Sequence, residues 1–145
     1  MKTIIRDYKP DDYPEIEMLW NATGLGGAIR GDNKTIIENS INIGGKLLVI
    51  EETDSSKIIG TSWMTFDGRR LHLHHFGIDP EFQRKGFGKI LTDASLKFAK
   101  AKGVQIKLEV HKENFPAIEL YKSKGFQFLG DYDVYIIRNF NLINL

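Results

Sequence analysis

Two stretches of this 145-residue chain combine residue types that could do chemistry. The first is QRKGFGK, in which Arg84, Lys85, Gly86, Phe87, Gly88 and Lys89 open an apolar-periodic run carrying Ile90, Leu91, Ala94, Phe98 and Ala101. That spacing predicts a helix, with Lys97, Lys100 and Lys102 left to the water. A helix start exposes N–H groups with no intrahelical partner and a partial positive charge. Gly86 and Gly88 would let an anion approach the backbone, and Arg84, Lys85 and Lys89 add full charge beside it. The chemistry implied is the binding of a phosphate or pyrophosphate. The plainer alternative is a glycine-shaped turn with a solvated basic surface; the strand before and the helix after favour the cradle. No GK[ST] follows, so it is not a P-loop, and Leu91 stands where a dinucleotide fingerprint needs its third glycine.

The second stretch lies just before it, LHLHHFGI from Leu71 to Ile78. Leu71 and Leu73 share one parity and Phe76 and Ile78 the other. A strand alternates faces with period two, so this parity change predicts an inserted residue, a β-bulge at His74 or His75. A bulge leaves backbone groups unpaired and re-aimed, which suits a ligand taking main-chain hydrogen bonds.

The elements that must position these stretches follow from the rest of the pattern. Thr3 to Arg6 reads as a strand, Pro10-Asp11-Asp12 starts a helix bearing Ile16, Leu19 and Trp20, and a second helix runs from about Asn33 to Ile43 with Ile36, Ile37 and Ile41 inward. Lys46 to Glu52 and Ile58 to Phe66 form a hairpin, and Asp67-Gly68-Arg69 turns into the bulged strand. Ile106, Leu108 and Val110 alternate with Lys107, Glu109 and His111 in a further strand. A helix follows from Asn114 or Phe115 to Lys124, and Gln127 to Leu129 and Val134 to Phe140 close as a second hairpin. The order β-α-α-β-β-β-α-β-α-β-β implies a mixed α/β domain over residues 1–145, whose sheet of about seven strands is mostly antiparallel with one parallel pairing. Between the first two helices NATGLGGAIRGDN is the least regular stretch, a linker or a lid from Gly24 to Gly31.

A chain 41% hydrophobic and 27% charged, with net charge +1, reads as an ordinary globular domain rather than a nucleic-acid or membrane-surface binder. The absence of Cys excludes disulfides, thiol nucleophiles and cysteine metal sites, and His72 and His74 lack the carboxylates that would complete a metal site. No signal peptide or membrane-spanning run is evident, so a cytoplasmic protein is expected.

The run FGIDPEFQRKGFGKIL resembles the acetyl-CoA-binding motif of the GNAT superfamily of N-acetyltransferases, and KLEVHKENFPAIELYKSKGF resembles that superfamily's next motif. The two cover about the last half of the chain; the first half matches mainly in its order of elements. The resemblance implies acetyl-CoA as co-substrate, no metal, and acetyl transfer to an amine, on a small molecule or a peptide. It implies cofactor contacts from Phe76, Gly77, Ile78, Arg84, Lys85, Gly86, Phe87, Gly88, Lys89, Asn114 and Ala117. Asn114 reads equally as a helix cap. Tyr121 falls on the general-acid position, and Glu109 on that of a catalytic glutamate in some N-terminal protein acetyltransferases; a surface carboxylate paired with Lys107 or His111 is the other reading of Glu109. His74 and His75 are rival bases, since imidazole titrates near neutrality; adjacent residues of a strand point to opposite faces unless bulged, so at most one of them is expected to face the cleft. Leu25, Ile29 and Arg30 are candidate specificity residues, because the matching segment in such proteins borders the acceptor pocket. A homodimer and a non-catalytic coenzyme A-binding module both stay open.

Overall fold

The computed structural model describes residues 1–26 and 30–145. Five strands, β1 (Thr3–Asp7), β2 (Lys46–Glu52), β3 (Lys57–Phe66), β4 (Arg70–Ile78) and β5 (Gln105–Leu108), form one sheet in the order of the chain. Pairing is antiparallel except between β4 and β5, as the element order implies. The crossover joining that parallel pair is α3 (Phe87–Lys102), which ends at Gly103 in the left-handed conformation (φ 77°).

Helices cover the two faces unequally. On one face α3 places Leu91 and Ala99 against Leu48, Ile50, Ile59, Met64, Leu71 and Leu73, all buried. On the other, α1 (Tyr13–Ala22) and α2 (Lys34–Asn42) bring Ile16, Leu19, Trp20 and Ile37 onto Leu47, Val49 and Trp63. Helix α2 starts as its sequence predicts, with the Asn33 side chain accepting from the Ile36 N–H at 3.0 Å. Pro10–Asp12 forms a separate 3-10 turn ahead of α1, where a continuous helix start is expected.

Some inward assignments are overturned. Ile36 is 42% and Ile90 49% exposed, because each helix contacts the sheet along a stripe that passes through the neighbouring residue, Ile37 or Leu91. Ala101 is exposed near the C-terminal end of α3. The largest correction is at the C-terminus: after α4 (Phe115–Ser123) no strand forms among the described residues, so the sheet has five strands rather than about seven. Phe128, Val134, Tyr135, Ile136 and Ile137 are all exposed. Alternation specifies which face an extended segment would bury; it cannot say whether a sheet edge lies within reach.

Candidate active site

The bulge is present in β4. Thr61 pairs with Gly77 and Trp63 with His74, so Ser62 alone stands opposite His75 and Phe76. His75 carries the inserted conformation, with φ 44°, a region that costs any residue with a Cβ about 1 to 3 kcal/mol. Three contacts hold it there. Its carbonyl accepts from Thr61 Oγ1 at 2.8 Å, and that hydroxyl oxygen accepts from Trp20 Nε1 at 2.9 Å. The imidazole packs on Trp20 and Trp63, with ring centroids 4.2 Å and 5.3 Å away.

The parallel ladder fails at the same level. It runs from Arg70 opposite Gln105 to Leu73 opposite Leu108 and stops there. From His74 onward β4 is paired with β3 alone, and its edge toward β5 carries no ladder. The expected strand through Val110 is thereby shortened, and Glu109 lies just past the end of β5. The result is a wedge between two strands, floored by a bulge, with main-chain groups left to hydrogen-bond something else.

At the outer end of the wedge the chain turns through Asp79, whose carboxylate accepts from the Glu81 N–H at 2.9 Å, into the start of α3. Arg84 (φ 63°) and Gly86 (φ 87°) are both left-handed, where the chain turns sharply into the helix. Gly86 is the N-cap and offers no side chain to the first turn. Arg84, Lys85 and Lys89 are exposed around it. Gly88 does different work: a Cβ there would lie 3.3 Å from Leu120 Cδ2, so its lack of a side chain lets α4 approach α3.

Helix α4 supplies the opposite wall. Asn114 caps it, accepting from the Ala117 N–H at 3.4 Å, which bears out the cap reading of that residue. Tyr121 is buried, edge-on to Phe76 at 5.8 Å and to Phe126 at 5.6 Å. Burial pushes its phenol up to about 12, and its hydroxyl makes no hydrogen bond among the described residues.

On the face that carries Trp63, β4 lines up its histidines. His72 and His74 stack with centroids 4.1 Å apart, and His74 Nε2 lies 2.9 Å from Thr65 Oγ1. His72 Nε2 lies 3.6 Å from a Glu109 carboxylate oxygen, and the Glu109 side chain is 57% exposed. The bulge turns His74 and His75 to this same side, since both rings pack on Trp63. Burial drives both imidazoles down to about 4, with the neighbouring charges of His72, His75 and Lys107 acting on His74, and that of Arg30 on His75. Both are therefore neutral at pH 7 and less basic than an ordinary imidazole.

Sequence reasoning missed Asp32, whose carboxylate lies 3.3 Å from His75 Nε2. No local signal marks it, because the contact joins the end of the α1–α2 segment to the middle of β4. Leu25 is brought to the bulge as well: a Cβ on Gly77 would lie 3.0 Å from Leu25 Cδ1. Arg30 reaches back to the Gly24 carbonyl at 3.4 Å, and Ile29 lies outside the described residues. Among the described residues no group of three or more His, Asp or Glu side chains could hold a metal ion, and no helix is long and apolar enough to cross a membrane.

Comparison with known proteins finds relatives that share this fold over most of the chain. An acetyltransferase from Yersinia pestis is 25% identical over 126 residues, covering 85% of this chain and 86% of its own. The PaiA N-acetyltransferase of Thermoplasma acidophilum, solved in complex with coenzyme A, superposes with a TM-score of 0.75 at 24% identity over 92% of this chain and 94% of that one. The ribosomal-protein-S18-alanine N-acetyltransferase of Escherichia coli superposes with a TM-score of 0.71 at 20% identity over 87% and 78%. The family model described as the acetyltransferase (GNAT) family matches residues 8–126, and the chain belongs to that family of acyltransferases.

Proposed function

We propose that the enzyme transfers the acetyl group of acetyl-CoA to a primary amine, on a small molecule or a peptide, by direct attack of the amine on the thioester. The observation that carries this reading is the coincidence of the bulge at His75 with the end of the β4–β5 ladder after Leu73, followed by a helix start whose cap, Gly86, offers no side chain. A long diphosphate-bearing thioester needs an anion site at one end and main-chain donors along its length. Gly86, Phe87, Gly88 and Lys89 at the helix start, with Arg84 and Lys85, fit the diphosphate. The β4 edge at Phe76, Gly77 and Ile78 fits the amide-bearing arm, with Asn114 and Ala117 on the facing helix.

Attack requires a neutral amine. A lysine-like amine gives up its proton at a cost of about 4.6 kcal/mol at pH 7, against about 1 kcal/mol for an α-amine. Glu109, open to solvent beside the half-buried His72, is the group we assign to take that proton, directly or through water. As the C–N bond forms, freed N–H groups at the bulge stabilise the charge growing on the carbonyl oxygen. As the C–S bond breaks, Tyr121 donates to the departing sulfur; burial keeps its hydroxyl protonated at any physiological pH. Coenzyme A binding by calorimetry, followed by a panel of amines scored for coenzyme A release, tests the assignment. No heat with either coenzyme A or acetyl-CoA would end it.

A further inference from the structure

Asp32 and His75 form the most unusual contact in the molecule that the mechanism above leaves unused. The His75 side chain is 8% exposed, and neither ring nitrogen has a hydrogen-bond partner among the described residues, although Nε2 faces an Asp32 oxygen at 3.3 Å. The separation is close enough for an ion pair, yet no hydrogen bond joins the two. Nor is it an ion pair in charge: the imidazole, pressed on Trp20, is neutral at pH 7. The Asp32 carboxylate thus sits against an uncharged aromatic wall, 24% exposed, with no hydrogen bond and no Lys or Arg within 4 Å among the described residues. Arg30 and Arg138 act on it only at longer range, and desolvation raises it despite them. A carboxylate partly stripped of water without a partner is a site that a cation would complete.

Its place in the fold identifies the cation. His75 is the bulge residue, and Leu25 from the same α1–α2 segment overhangs Gly77. Asp32 therefore borders the part of β4 assigned to the thioester, on the same face as the histidine row and Glu109. We infer that Asp32 is the acceptor-binding carboxylate, receiving the amine as its ammonium at the bulge, and that His75 is a positioning residue that sets the carboxylate's place. The site takes a primary ammonium and discriminates against a neutral group of the same shape. This inference rests on the acetyl-transfer reading, and Glu109 keeps the separate task of removing the proton.

The test uses the whole protein with n-butylamine as the cationic probe and n-butanol as its neutral counterpart. Asp32→Asn preserves shape and removes charge; it should raise the KM for n-butylamine at least tenfold while leaving the KM for acetyl-CoA within twofold. Titrating the coenzyme A complex with n-butylamine should shift the His75 ring resonances in the wild type and in Glu109→Gln, and leave them unmoved in Asp32→Asn. n-Butanol should shift them in none of these. An unchanged amine KM in Asp32→Asn, or equal shifts from n-butanol, would overturn the inference while acetyl transfer persists. Failure to bind coenzyme A at all would instead remove the reading beneath it, and the inference with it.

Discussion

The two halves of β4 differ in what they do with their backbone. From Arg70 to Leu73 the strand is paired on both edges, to β3 and to β5, and Leu71 and Leu73 are buried under α3. From His74 to Ile78 it is paired with β3 alone, carries a bulge, and places two neutral imidazoles against tryptophan. The first half is held by the ladder that surrounds it. The second is held by β3 and by side chains, through Trp20, Thr61 and His75, so that its edge toward β5 stays free. A site that hydrogen-bonds with its backbone must be kept in shape by something other than that backbone.

The largest expected effects fall on the open half and spare the closed one. Tyr121→Phe and Glu109→Gln should each lower kcat by about 100-fold, within the range of a lost acid or base. Tyr121→Phe should leave thermal stability unchanged, because its hydroxyl holds nothing in the described residues. Steady-state rates with one amine and a melting curve check both, and a kcat unchanged in either variant would move that role elsewhere.

Thr61→Val asks whether side chains do hold the bulge. It leaves a buried indole N–H without its acceptor and the His75 carbonyl without its donor, at a cost of about 1 to 3 kcal/mol. Chemical denaturation should show that loss together with a fall in kcat. Thr61→Ser, which keeps the hydroxyl, should recover most of both.

Gly86→Ala probes the outer end of the wedge. A methyl there meets nothing within 4 Å, so its penalty is conformational, about 1 to 2 kcal/mol from a φ of 87°. Calorimetry should find coenzyme A binding weakened by about that amount, with activity at saturating acetyl-CoA little changed.

A dependence on pH reports on the same open half. His74 and His75 are held near 4 in the fold against about 6.5 unfolded, so the unfolded chain binds more protons between those values. Their contribution is fully present above about pH 6.5 and is lost as pH falls toward 4. The melting temperature should drop through that window, and the double variant His74→Gln, His75→Gln should flatten the drop.

The sequence by itself determined the parts of this protein that are local. The parity change between Leu73 and Phe76 required an inserted residue, and His75 is that residue; the glycines and basic residues before Ile90 marked a helix start, and Gly86 is its cap. Asn114 caps a helix where its type predicted, and the helix expected from about Asn33 starts there. Such features follow from the chain's own periodicity and backbone freedom, with no distant partner needed. Only the tertiary structure decided where the parallel ladder ends, that the bulge turns both His74 and His75 to the tryptophan side, that Asp32 meets His75 across more than forty residues, and that the alternating C-terminal segment stays unpaired. Those outcomes depend on which edges and faces meet in space, and an alternating or apolar pattern is equally satisfied by any partner of the right shape.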